Sequence, residues 1–133
     1  MEDLVFKEFY EQFKIRASQH DLSYLKRVTS KNLIAREVRE GEVTDYSYQE
    51  SIAGWKQAFD HFADMEMEWK YTDHSLTKLK EDEWLASFYL SPIIEGEEAA
   101  PHLYFNIFKL MNNQWQLVRS YIETGVANPT IPK

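Results

Sequence analysis

The sequence predicts a single α+β domain, with three N-terminal helices packed on a strongly curved antiparallel sheet. Two observations carry that prediction. Apolar residues recur at helical spacing in two long segments of the first 63 residues, and after residue 64 the period changes to two. Helical segments followed by several long strands leave the helices on one face of the sheet.

The first helix spans residues 3–17. Phe6, Phe9, Tyr10, Phe13 and Ala17 form its apolar stripe, Lys7, Glu8, Glu11, Gln12 and Lys14 fill the other side, and Asp3 suits the dipole of the first turn. Ser18-Gln19-His20 interrupts the pattern, and Asp21 then caps a short helix carrying Leu22, Leu25 and Val28. Leu33 to Val38 reads as a strand, Glu40-Gly41-Glu42 as a turn, and Val43 to Tyr46 as a second extended piece. Ser47-Tyr48-Gln49-Glu50 matches a capping box. The helix behind it reaches Ala63 with Ile52, Trp55, Phe59 and Phe62 on one stripe.

Met65, Met67, Trp69 and Tyr71 alternate with Glu66, Glu68, Lys70 and Thr72, which marks a half-buried strand. A charged turn at 80–83 leads to a strand from Trp84 to Ile94 that is apolar on both faces. Beyond an acidic loop at 96–101, His102–Met111 and Gln114–Thr124 form a last hairpin across Asn112-Asn113. The domain therefore covers 1–124, with a tail over 125–133.

A chain of 133 residues without cysteine has no disulfide, thiolate metal site or Cys nucleophile. Its net charge of −7, from 15 Lys+Arg against 22 Asp+Glu, repels phosphate backbones, and the longest basic cluster is only Lys26-Arg27. Nucleic acid is not an expected partner. No apolar run reaches the roughly 20 residues of a membrane span, and the acidic start Met1-Glu2-Asp3 is unlike a signal peptide. A soluble, cytoplasmic protein is the expectation.

The stretch Leu103-Tyr104-Phe105-Asn106-Ile107-Phe108-Lys109, a polar turn, and then Trp115-Gln116-Leu117-Val118-Arg119 closes this order of elements. The order resembles the nuclear transport factor 2-like superfamily, which includes ketosteroid isomerase, scytalone dehydratase and SnoaL-type cyclases. The resemblance spans residues 3–124 and implies a cone-shaped, cystatin-like roll. It also implies a ligand cavity between the sheet and the helices, and a homodimer formed through the outer sheet face.

The steroid-isomerase residues do not carry over. Aligned on Asp21, Phe13 falls where that family has its oxyanion-binding Tyr, and a phenyl ring donates no hydrogen bond. The base position falls near Arg36 or Glu37, of which only Glu37 can accept a proton. His61, His74 and His102 match no dehydratase pattern.

The last hairpin decides which side chains face inward, because one residue of slip reverses a strand. A two-residue turn pairs Leu110 with Trp115 and puts His102, Tyr104 and Asn106 on one face with Arg119, Tyr121 and Glu123. A three-residue loop with a bulge pairs Leu110 with Gln114 and joins Tyr104 and Asn106 to Val118, Ser120 and Ile122. The resemblance favours the second. The expected cavity residues are Phe13, Trp55, Phe59, Tyr104, Asn106, Phe108, Gln116, Val118 and Ser120. Trp115, Arg119, Tyr121 and Glu123 then face solvent or a partner, with Arg119 and Glu123 spaced for a surface ion pair.

Asp60, His61 and Asp64 do not converge on one helix face, so no metal is expected, and no motif implies a cofactor. Three functions stay open: a small-molecule-binding domain, an isomerase, dehydratase or cyclase using Glu37, His102 or Tyr104, and a dimerisation module with a filled interior.

Overall fold

The structure, a computed structural model, describes residues 2–126. Of the expected tail, residues 127–133 lie outside the described part, as does the side chain of Asp3. The elements run α1 (Glu2–Ser18), α2 (Leu22–Arg27), β1 (Thr29–Arg39), β2 (Glu42–Tyr46), α3 (Tyr48–Phe62), β3 (Met67–Lys80), β4 (Glu83–Ile94), β5 (Glu97–Glu98), β6 (His102–Met111) and β7 (Gln114–Glu123). The α+β reading holds.

Local chemistry sets the helix starts. Asp21 Oδ1 accepts from the Tyr24 N–H at 3.1 Å, which caps α2, while Arg16 Nη1 donates to the other carboxylate oxygen at 2.7 Å. At α3 both halves of the capping box form: the Glu50 N–H donates to Ser47 Oγ, and the Ser47 N–H donates to Glu50 Oε1.

The strands join one sheet in the order β2-β1-β7-β6-β4-β3, with β5 paired to the end of β4. An all-antiparallel sheet was expected, but β1 runs parallel to β7 and the sheet is mixed. The reason is topological: β1 is followed by its own hairpin partner and α3, so the chain returns to β1 only through its last strand. Two other differences are of length. β1 starts at Thr29 instead of Leu33, and β3 starts after Met65 and continues to Lys80. Register shifts interrupt β1–β7, β3–β4 and β6–β7. Those in β3–β4 and β6–β7 each leave one residue unpaired, and that in β1–β7 sets residues 30–33 against Val118 alone; such irregularities bend a strand and add twist, which curls the sheet around the helices.

The last hairpin departs from the expected bulged loop. Asn112 and Asn113 both have left-handed φ, 52° and 65°, and Leu110 pairs with Trp115. Two left-handed residues make a two-residue turn whose twist matches its strands, and Asn adopts that conformation at low cost. A bulge does occur, but higher up. Phe108 pairs with Leu117 and Ile107 with Arg119, so Val118 is the extra residue, and beyond it Asn106 pairs with Ser120 and Tyr104 with Ile122.

The core lies under α1. Phe6, Tyr10 and Phe13 meet Trp84, Phe88, Phe108, Trp115 and Leu117 from the sheet's inner face. Phe6 stacks on Trp84 at 4.9 Å and meets Trp115 edge-on at 5.0 Å. A polar clamp fastens the same helix to β3. Tyr10 Oη donates to Asp73 Oδ1 at 2.9 Å, and Lys14 Nζ reaches Asp73 Oδ2 at 2.8 Å and Glu11 at 3.0 Å.

Candidate functional site

Beyond Phe13 the helices diverge from the sheet, and a cavity of about 600 Å³ opens between them. The inner faces of β1, β3, β4, β6 and β7 form its floor, and α3 forms its roof. No α3 side chain is fully buried, although Trp55, Phe59 and Phe62 point at the sheet. The apolar stripe of α3 thus borders the cavity while Trp55 and Phe59 also touch the edge of the core.

Two ends of the cavity differ in chemistry. One is aromatic, built from Trp55, Phe59, Phe62 and Trp69, and Phe88 stacks on Tyr104 between the two. A contact between three elements closes it. His20, held at φ 59° after α1, stacks on Phe59 with ring centroids 4.4 Å apart and accepts from Trp69 Nε1 at 2.7 Å. Accepting at Nε2 requires that nitrogen to be unprotonated, and burial lowers the affinity of His20 for a proton.

The other end is polar: Glu37, Arg39, Tyr46, His102, Tyr104 and Ser120 line it. Alternation along β1 continues inward from Leu33 and Ala35 to Glu37 and Arg39, and the parallel partner strand sets Ser120 and Ile122 beside them. Arg39 Nε approaches Glu37 Oε2 at 3.4 Å, and Tyr46 Oη donates to the same oxygen at 3.5 Å. His102 Nδ1 accepts from the Gly125 N–H at 3.2 Å, so the neutral ring carries its proton on Nε2. Burial, aided by Arg39 and opposed by Glu37, lowers the His102 pKa. Burial first, and then the Glu37 charge, push the Tyr104 phenol up to about 12. Burial likewise raises Tyr71. At neutral pH these rings are uncharged and can present hydrogen-bond donors.

Of the nine residues expected on the wall, Phe13, Trp55, Phe59, Tyr104 and Ser120 lie on it. The other four do not. Asn106 shares the inner face with Ser120 but is buried off the cavity wall, its Oδ1 accepting from Ser120 Oγ at 2.7 Å. Phe108 is inside the ring cluster under α1. Gln116 pairs with Lys109 on the opposite face and reaches the Arg27 carbonyl at 3.5 Å, and Val118 is the bulged residue. The two-residue turn causes both displacements, because it turns Trp115 and Leu117 inward in their place. Trp115 is therefore core, not an outer-face residue. Arg119, Tyr121 and Glu123 do share the outer face, yet no Arg119–Glu123 ion pair forms among the described residues; Glu123 accepts from Tyr121 Oη at 3.4 Å.

Sequence reasoning missed His20, Arg39, Tyr46 and Tyr71 as site residues. Continuing the Leu33–Ala35 alternation would have found Arg39, whereas His20 has no sequence signal beyond its place after a helix. No cluster of three metal-ligating side chains occurs among the described residues, and no helix there is long and apolar enough to cross a membrane.

No protein-family model matches the sequence. No curated protein matches it either. Solved structures do. A domain of unknown function with a cystatin-like fold from Nostoc punctiforme aligns at TM-score 0.71 and 14% identity, over 95% of this chain and 78% of that one. An NTF-2 like protein of unknown function from Shewanella oneidensis aligns at TM-score 0.70 and 10% identity, over 92% and 99%. Another from Silicibacter pomeroyi gives TM-score 0.65 and 18% identity, over 88% and 90%. Such low identities speak to architecture alone, and the architecture of this chain is the cone-shaped nuclear transport factor 2-like, or cystatin-like, fold.

Proposed function

We propose that this domain binds an uncharged small molecule in the cone, with its apolar framework against the α3 aromatics and an acceptor oxygen at the polar end. One observation carries the reading: a cavity of about 600 Å³, within the range of ligand sites, has one aromatic end and one end of convergent polar groups. His102 Nε2–H and the Tyr104 hydroxyl are the donors that suit a ketone, ester or phenol oxygen. Glu37 and Arg39 offset one another, so a free carboxylate gains little there. A thermal-shift screen of ketones, phenols and carboxylates is the test. Uncharged hits should bind Tyr104→Phe roughly tenfold more weakly, the worth of one hydrogen bond at about 1.4 kcal/mol. Ala58→Trp, which fills the space under α3, should abolish binding. Hits that bind both variants like the native protein would place the site elsewhere.

A second reading makes the same cavity an active site. It is favoured by the gathering of Glu37, His102 and Tyr104 at one end, where a carboxylate base and two neutral donors face the same space. An enzyme of the isomerase or dehydratase kind should catalyse solvent deuterium exchange next to the carbonyl of a bound ketone, and Glu37→Gln should stop the exchange while leaving binding intact.

The domain acts as a homodimer in this reading, paired through the outer sheet face. Leu85, Tyr89, Leu103, Phe105 and Ile107 sit half-exposed there, with Ile34 58% exposed beside them. This face suits a second copy better than water does. Sedimentation at micromolar concentration should show a species of twice 15.9 kDa. A species of 15.9 kDa alone would rule the dimer out.

A further inference from the structure

A second concavity lies outside the cone, beside α2. It is a shallow groove of about 490 Å³ lined by Ser23, Lys26, Arg27, Thr29, Lys31, Tyr48 and Gln116, none of which touches the cone. The Lys26-Arg27 pair alone is no patch. The fold adds Lys31 from β1 and so makes three cations converge in a chain whose net charge is −7.

We propose that this groove is an anion-binding site for a small phosphate-bearing molecule, held by Lys26, Arg27 and Lys31. Three features support it. First, no carboxylate forms an ion pair with any of the three among the described residues. The acid that senses Arg27 is Asp21, and its oxygens are already taken by Arg16 and the Tyr24 N–H.

Second, the backbone carbonyls at the end of α2 are occupied. A helix C-terminus exposes carbonyls that repel an anion, but here five consecutive ones have donors. The Tyr24 carbonyl accepts from the Val28 N–H at 3.0 Å, that of Leu25 from Thr29 Oγ1 at 2.6 Å, and that of Val28 from the Leu117 N–H at 2.8 Å. The Lys26 and Arg27 carbonyls receive longer bonds from Tyr48 Oη at 3.4 Å and Gln116 Nε2 at 3.5 Å. Beside them the groove is lined by the Ser23 hydroxyl and the three cations.

Third, two of the cations are steadied by rings. Lys31 Nζ sits 4.6 Å from the Tyr48 ring centroid, and the Arg27 guanidinium lies 5.2 Å from the centroid of Tyr24. A donor set held in place loses less entropy when an anion arrives. Phosphate suits it better than a monocarboxylate because several oxygens can engage several cations.

The probe is pyrophosphate, titrated into the full chain at low salt and followed by calorimetry and amide chemical shifts. Saturable binding is expected, with shifts centred on residues 23–31 and 48. Phosphate should bind more weakly and acetate not at all. Lys31→Gln should weaken pyrophosphate about threefold, and K26Q/R27Q/K31Q should abolish saturable binding, since each exposed contact is worth somewhat under 1 kcal/mol. The urea midpoint of each variant shows that it is folded, and protection of Lys31 from acetylation by pyrophosphate reads the native protein directly. No saturation up to about 10 mM, a range that corresponds to affinity too weak to matter, would overturn the proposal. So would equal binding by the triple variant, or an effect that chloride reproduces at matched ionic strength.

Discussion

Phe6→Ala should lower the stability of the domain by about 3–5 kcal/mol, the usual cost of removing a large buried ring that its surroundings cannot replace. Phe6 is fully buried, stacked on Trp84, edge-on to Trp115, and in contact with Phe9, Tyr10 and Phe108. Those partners come from one helix and three strands, so a void there cannot close by moving a single side chain. The control is its neighbour Val5, 55% exposed, where Ala should shift stability by less than about 0.5 kcal/mol. Urea unfolding checks both. With a slope of about 1–3 kcal/mol/M, the Phe6 variant should lose more than about 1 M in midpoint. Similar midpoints for the two variants would mean that α1 is not docked through Phe6. The same variant bears on function, because α1 also carries Phe13 to the cavity wall.

The sequence made the helices and strands legible where one periodicity dominated. The stripe from Phe6 to Phe13, the capping box at Ser47 and the alternation through Trp69 and Tyr71 each have one physical solution. What it could not resolve was pairing. The parallel β1–β7 contact joins residues some 85 apart in sequence by register, such as Ala35 with Ser120, and no local pattern encodes it. The continuation of β3 past Thr72 was hidden because His74, Ser75 and Thr77 are polar, and a shift in register at that point breaks the alternation.

The cavity was legible in its helical half and partly in its sheet half. Trp55 and Phe59 follow from the α3 stripe, whatever the sheet does. Tyr104 and Ser120 line the cavity although the turn differs from the expected one, because the bulge at Val118 restores beyond Ile107 the facing that the tight turn reverses, while the pairing itself stays shifted. Between turn and bulge nothing restores it, and there Gln116 faces outward; Phe108 faces inward as expected but is enclosed by the rings of α1. The groove beside α2 could not be seen in sequence at all, since Lys31 joins Lys26 and Arg27 only when β1 runs past α2.

Trp115→Ala and Arg119→Ala provide the second large contrast, and they test the register of β7 directly. If Trp115 faces inward, as its 5% exposure requires, its loss should cost about 3–5 kcal/mol. The indole packs edge-on against Phe6, and its strand neighbour Leu117 lines the same core. Arg119 lies four residues on and past the bulge, exposed on the outer face opposite Ile107 and without an ion pair among the described residues. Its removal should change stability by no more than about 0.5 kcal/mol. A strand without the bulge would place 115 and 119 on one face, since their separation is even, and both substitutions would then be costly or both mild. A wide gap between the two urea midpoints is therefore the signature of the bulge. Equal losses would mean that Arg119 is buried, that β7 alternates without interruption, and that Ser120 points away from the cavity.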